Sequence, residues 1–191
     1  SIDRSNHTYL DYLVFIHQNP RAYVWQLDFL GSIKTDSKSI LSFILPELQF
    51  LLINIINNPN SSKVVKFFDN LEHLIGTEEF KNLIPAILTD RDPCFADIDG
   101  ICFSKITGEE RCKLFFCDPY ISCQKPNIEN ANKQLRKYFP KKKSINKYTL
   151  RDIKKINQLI LNTPTKSLDG NTPKQAFIKV FNEKLYEKLF K

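Results

Sequence analysis

Three apolar runs crowd the stretch from Ala22 to Ile56: AYVWQLDFLG, SILSFIL and FLLINII, separated by links too short for anything but turns. The first alternates Tyr23, Trp25, Leu27 and Phe29 on one face with Val24, Gln26, Asp28 and Leu30 on the other. That period of two is the signature of a strand, and it sets an acid, Asp28, in mid-strand. Pro46-Glu47 supplies a turn between the second and third runs. Three consecutive strands with short links make an antiparallel meander, which excludes an all-helical fold.

The rest of the chain is read around that meander. Ahead of it, Tyr9, Leu10, Leu13, Val14 and Ile16 follow helical spacing up to Asn19-Pro20, a lead-in helix. After it, Asn57–Ser62 breaks the pattern and offers Ser61 or Ser62 as an N-cap. Val64, Val65, Phe68, Leu71, Leu74 and Ile75 then stripe one helix that stops at Gly76. IPAILTD reads as a short buried strand ending in Asp90. A strand that follows a helix suggests a parallel crossover, which brings its tip towards the first strand and Asp90 towards Asp28. In Arg91–Lys113 only turns at Gly100 and Gly108 are readable, DIDG at Asp97–Gly100 among them; KLFFCD is another strand.

Pro119 and Pro126 bracket a loop before a helix on which Glu129, Asn132, Lys133 and Arg136 share a polar face, leaving Leu135, Tyr138 and Phe139 to pack elsewhere. Pro140 and Lys141–Lys143 end it. Thr149 with Asp152 forms a capping box before Leu150, Ile153, Ile156, Leu159 and Ile160. Asp169-Gly170 is a turn, and Thr172-Pro173 starts a last helix running towards Lys191. The expected organisation is a lead-in helix over residues 1–21, a core over 22–145 and a C-terminal helical extension over 146–191 packed on the core.

Charge narrows the function. The net charge is +7, yet Lys125–Lys155 alone holds eleven bases against two acids, a local +9 that leaves the remainder at −2. Such density suits a phosphate backbone, although an anionic membrane surface would also attract it. No apolar run is long enough to span a bilayer and no signal peptide is visible, so no membrane role is expected. The five cysteines, all between Cys94 and Cys123, show no CxxC pair or zinc spacing and read as reduced structural thiols of a cytoplasmic protein. The chain begins at Ser1 and contains no Met, as a fragment of a longer polypeptide would.

Three strands, a helix, two more strands and then helices give the order of an α/β, ribonuclease H-like (retroviral-integrase-like) fold: a mixed five-stranded sheet flanked by helices. In that fold an acid in the first strand, one after the fourth and one on a later helix converge on metal. Magnesium or manganese takes oxygen ligands and open positions for water and phosphate. Each acid also has a plainer reading: Asp28 as a solvated edge-strand acid, Asp90 as a turn starter, Glu129 as a favourable first-turn charge.

VWQLDFLGS, ILTD, FFCDPYISCQKPNIENANKQLRKYFPKKKS and LNTPTKSLDGNTPKQAF stand in the order seen in transposases of the IS-thirty insertion-sequence family, which the chain resembles over almost its whole length. The sharpest part, Phe116–Lys141, carries the pattern D-P-Y-x-S-x-Q-K-x-x-x-E-N followed by R-K-Y-F-P-K. The resemblance implies a DDE catalytic core with Asp28, Asp90 and Glu129 as catalytic acids on two Mg2+ or Mn2+ ions. It also implies phosphate contacts from Lys133 and Arg136; Lys141, Lys142 and Lys143, by their place beside the Glu129 helix, and Lys125, Asn132 and Lys137 complete the candidate DNA-binding residues. Cleavage at an element end, strand transfer to target DNA, a homo-oligomer in the active complex and a bacterial, nucleoid-associated location follow from the resemblance. A catalytically decayed DNA-binding module and a nuclease without strand transfer are the other readings. The chain departs from the family at Arg91-Asp92, where Asn-Gly is usual: Arg91 stands ready to pair with an acid, and Asp92 to compete as second ligand.

Overall fold

The computed structural model describes residues 2–191. Its strands form a mixed five-stranded sheet of order β3-β2-β1-β4-β5, with helices flanking it and a helical C-terminal extension, the expected retroviral-integrase-like architecture. The chain divides into two compact units, neither continuous in sequence: residues up to Gln26 with Asn60–Pro126, and Leu27–Pro59 with Asn127–Lys191. Strand β1 (Val24–Leu30) contributes to both.

The first unit begins with α1 (Tyr9–Gln18), fixed by a Thr8/Asp11 capping box. Its inward face is Tyr9, Tyr12 and Phe15, packed against Ala86, Leu88, Phe115 and Cys117. Leu10, Leu13 and Val14, which spacing assigned to the buried stripe, stay exposed because the wider aromatic rings fill the sheet face first. The segment before the helix is pinned by His7, whose Nδ1 lies 2.7 Å from the Leu114 carbonyl oxygen. Helix α2 (Ser61–Ile75) is capped by Asn60, one residue ahead of the expected serines, with its side chain accepting from Lys63 N–H. Gly76, at φ +88°, ends α2 and leads at once into α3 (Thr77–Leu83).

Strand β4 (Ala86–Thr89) runs parallel to β1 in the register Val24↔Ala86, Trp25↔Ile87, Gln26↔Leu88, and β5 (Lys113–Phe116) runs parallel to β4. The stretch between β4 and β5 holds a short helix, α4 (Ile98–Cys102), whose N-cap is Asp97. Arg111, buried, anchors it: Nε donates to the Ile101 carbonyl at 2.9 Å, and the guanidinium pairs with Asp69 at 2.9 Å and Glu72 at 3.4 Å. This insertion is thus built on a buried ion pair, and the DIDG stretch within it caps a helix turn.

In the second unit β2 (Lys38–Leu45) and β3 (Phe50–Asn57) pair antiparallel from Lys38↔Asn57 to Leu45↔Phe50 around a single 3-10 turn. Helix α5 (Pro126–Leu135) buries Ile128, Ala131 and Leu135 against Leu30, Ile40, Ile44, Leu51 and Ile53, joined by Phe139, Ile145 and Ile153. Helix α6 (Leu150–Leu161) carries the expected Thr149/Asp152 box and lays buried Asn157 against β3. Asn157 Nδ2 donates to the Leu51 carbonyl at 2.7 Å and its Oδ1 accepts from Ile53 N–H at 3.0 Å, so one side chain satisfies edge backbone on both sides of Leu52. The expected single last helix is two: α7 (Pro173–Val180) breaks at Phe181, and Asn182 caps α8 (Glu183–Leu189). Phe177 stacks on Phe50 at 4.2 Å between ring centres, holding the extension to the start of β3.

Candidate nucleic-acid interface

Asp28 lies on β1, half-buried between buried Gln26 and Leu30 on the same face. Its Oδ1 accepts from Phe29 N–H at 2.9 Å, and its Oδ2 accepts from the Asn132 amide of α5 at 2.9 Å. Asn132 is held in turn by β2: the Ser42 hydroxyl lies 2.9 Å from its Oδ1 and 3.3 Å from the Asp28 carbonyl oxygen. These bonds orient the Asp28 carboxylate. Glu129 sits one turn before Asn132 on the same helix face. Half-buried, its carboxylate makes no hydrogen bond or ion pair with any other described residue. Within this unit, then, the first and third acids are drawn to one helix face through Asn132.

The bases of this unit divide into two sets. Arg136 is committed inward: its guanidinium donates to the Gly31 carbonyl at 2.9 Å, and burial draws its pKa down. Lys133, Lys137, Lys141, Lys142 and Lys143 are exposed, and none of them pairs with a described acid. The triple-lysine turn has a fixed place, because the Ser32 hydroxyl donates to the carbonyls of Pro140 and Lys143.

The first unit holds the second acid. Asp90 follows the end of β4, one residue past the strand that the sequence assigned it to. Its Oδ1 accepts from Asp92 N–H at 3.0 Å, and its Oδ2 lies 3.3 Å from the Lys125 ammonium. The Lys125 side chain is 8% exposed against 43% for Asp90, so the lysine reaches the acid from the protein side. The two unusual neighbours of Asp90 are occupied elsewhere. Arg91 Nε donates to the Cys117 carbonyl at 3.3 Å, and Asp92 caps a 3-10 turn by accepting from Cys94 N–H at 2.8 Å. Burial, with the Asp92 carboxylate beside it, pushes the Cys94 thiol up to about 11. Neither Arg91 nor Asp92 therefore competes at Asp90 in the way their charges suggest.

The loop before α5 closes on itself. Asp118 N–H donates to Gln124 Oε1 at 2.7 Å, while Gln124 Nε2 donates to Asp118 Oδ2 at 3.0 Å. The clasp fixes the chain that delivers Lys125 and α5, and it leaves Tyr120, at φ +62°, fully exposed at the tip. Sequence reasoning noted these residues as a pattern and missed their reciprocal pairing; an amide six residues after an acid across a proline is the only local signal. Ser42 was missed altogether, since a serine inside an apolar strand gives no sign of a partner on a distant helix.

Among the described residues no group of three or more Asp, Glu, His or Cys side chains lies close enough to hold a metal ion. The hard oxygen donors suit magnesium or manganese chemically. Within the first unit the Lys125 ammonium, 3.3 Å from Asp90 Oδ2, already gives that carboxylate a counter-charge.

No family model matches the chain. It is 34% identical over 103 residues to the transposase for insertion sequence element IS4351 of Bacteroides fragilis, a match covering 54% of this chain and 30% of that one. It is 38% identical over 63 residues to transposase InsI for insertion sequence element IS30A of Escherichia coli strain K12, covering 33% and 16%. The matched stretches thus span less than a third of either relative's length. Among solved structures, the catalytic core domain of BIV integrase superposes with a TM-score of 0.55 at 17% identity, covering 85% of this chain and 98% of that chain. At that identity the likeness is one of fold. No helix is long and apolar enough to cross a membrane among the described residues.

Proposed function

We propose that this chain is the integrase-fold, DNA-binding domain of an insertion-sequence transposase. The observation that carries this reading is the line of five exposed lysines, Lys133, Lys137, Lys141, Lys142 and Lys143, none neutralised by a described acid. Unpaired ammonium groups close together along one chain segment attract a polyanion and release its counterions on binding. Asn132, Arg136 and Lys125 serve differently: they bind Asp28, the Gly31 carbonyl and Asp90, and so hold the surface in shape. Similarity to insertion-sequence transposases of two bacteria supports DNA as the polyanion over an anionic membrane.

A second reading, metal-dependent cleavage and strand transfer through Asp28, Asp90 and Glu129, is favoured by one feature: Glu129 has no partner among the described residues and stands one turn from the residue that grips Asp28. It requires Asp90 to be released from Lys125. Two assays separate the readings. Salt-dependent binding to duplex DNA, lost in stages as the five lysines are neutralised, is expected under both; its absence sinks both. Joining of a labelled DNA end in magnesium or manganese, abolished by Glu129→Gln with binding intact, establishes the second. Cleavage without joining would identify a nuclease instead.

A further inference from the structure

The motif stretch LNTPTKSLDGNTPKQAF has no part in the acid site, yet it builds most of one wall of a cleft of about 290 Å³ in the second unit. Tyr138, Ile160 and Pro173 line its apolar side, while Lys137 and Lys166 bring two ammonium groups to it. Gln49, Gln134, Thr163 and Thr165 add polar atoms, and no carboxylate lines the cleft. Both lysines are exposed and neither pairs with a described acid. Two like charges at one concavity without an acid repel each other, and an anion between them removes that cost.

The wall is preorganised. Thr165 N–H donates to the Asn171 carbonyl at 3.1 Å and Gly170 N–H returns to the Thr165 carbonyl at 3.0 Å, closing the loop that carries Lys166. Asp169 and Gly170 take left-handed φ values of +54° and +83° to make this turn. Opposite, Gln49 is also left-handed, at φ +49°, and its side-chain amide donates to the Pro46 carbonyl at 2.8 Å. A loop fixed in advance loses little entropy when it receives a ligand. The volume is at the low end for organic ligands, enough for a phosphate and its sugar.

Position selects among anions. Lys137 follows Glu129 by eight residues. Helical rise covers about 9 Å of this, to the end of α5 at Leu135, already the length of roughly two to three nucleotides of one strand. We propose that the cleft is a second phosphate site, taking a phosphodiester of the DNA strand that passes along the Glu129 helix. This rests on the proposed DNA partner and adds a contact that the acid site does not supply.

The test is fluorescence anisotropy of a labelled duplex across a salt series, comparing the full chain with the K137Q/K166Q variant and with K66Q/K184Q, which removes equal charge from exposed positions elsewhere. The cleft variant should lose about tenfold in affinity, and its log–log salt slope should flatten by about one to two. The control should keep the parent slope. Equal loss in both variants, or no change in the cleft variant, overturns the proposal. Inorganic phosphate separates the sources: saturable binding that K137Q/K166Q abolishes while DNA affinity is unchanged makes it a free-phosphate site and overturns the strand assignment. Loss of polyglutamate binding alone, with DNA binding intact, assigns an acidic protein partner instead and likewise overturns it. Failure of DNA end joining leaves these outcomes unaffected, so the catalytic reading and the cleft fail separately.

Discussion

Asn132 on α5 donates its amide to the Asp28 carboxylate of β1 at 2.9 Å, joining the helix that carries Glu129 to the strand that carries the first acid. The Ser42 hydroxyl at 2.9 Å from Asn132 Oδ1 fixes which end of the amide faces Asp28. Reversing the amide would set an acceptor against a carboxylate, so the serine enforces the donor orientation.

Asn132→Leu should therefore do more than shorten a list of contacts. It removes a bond to a charged acceptor and leaves Asp28 Oδ2 and the Ser42 hydroxyl without that partner, a loss of about 1.5–3 kcal/mol. Urea unfolding measures it. Ser42→Ala should cost less, about 1 kcal/mol, and the double variant should fall short of the sum, because both act through one amide. DNA affinity of Ser42→Ala should match the parent, since Ser42 is buried. Full additivity would show that the two side chains are not coupled.

Asn157 makes a different kind of claim, on β3. Replacing it with Ala strands the Leu51 carbonyl and the Ile53 N–H, both served by the one side chain in a buried setting. The expected loss is about 2–4 kcal/mol. Amide exchange at Ile53 should quicken in the variant beyond the general drop in stability. If exchange there follows global unfolding alone, the edge of β3 is sealed by something other than Asn157.

These two asparagines mark the boundary of what the sequence discloses. The succession of strands, the place of Asp28 on β1, the Thr149/Asp152 box and the packing of Leu135 were all legible, because each rests on local periodicity or on a cap; Ile128 and Ala131 on the same face of α5 were not read. The side on which α1 packs was not: two faces of that helix are apolar, and ring size decided between Leu13 and Phe15. The break at Phe181 was missed because the helical spacing continues across it. Inward roles for Asn132, Arg136 and Lys125 were hidden for another reason. A basic residue read along a chain looks solvated, and only the fold shows that Gly31 and Asp90 lie within its reach.

Acid should loosen the second unit through Asp36. Partial burial pushes its carboxyl up, but the Ser144 hydroxyl, Ile145 N–H and Ile33 N–H outweigh it and hold the pKa below 3.8. Asp152, held low by the Thr149 N–H and hydroxyl, behaves alike. A depressed carboxylate contributes stability that is complete above its unfolded pKa and lost as pH falls through the folded one. Urea midpoints should accordingly drop from about pH 5 to about pH 3. Asp36→Asn should flatten that dependence, and an unchanged profile would remove Asp36 from the account.

Lys125 gives the sharpest separation between the two proposed readings. Its ammonium lies 3.3 Å from Asp90 Oδ2, in a place that a metal cation would need. Lys125→Met keeps the apolar stem in its buried seat and removes the charge, so Asp90 is left without its counterion. If Asp90 serves a metal site under the second reading, manganese should bind the variant about tenfold more tightly than the parent, which corresponds to about 1.4 kcal/mol. Glu129→Gln placed on top of it should then abolish the gain. Titration calorimetry with a parallel thermal melt distinguishes tighter binding from altered folding. Were Lys125→Met as indifferent to manganese as the parent, with a normal melt, the ion pair would not be what keeps metal away. The chain would then act on DNA by holding it, through Lys133 and the lysines that follow it, without cutting.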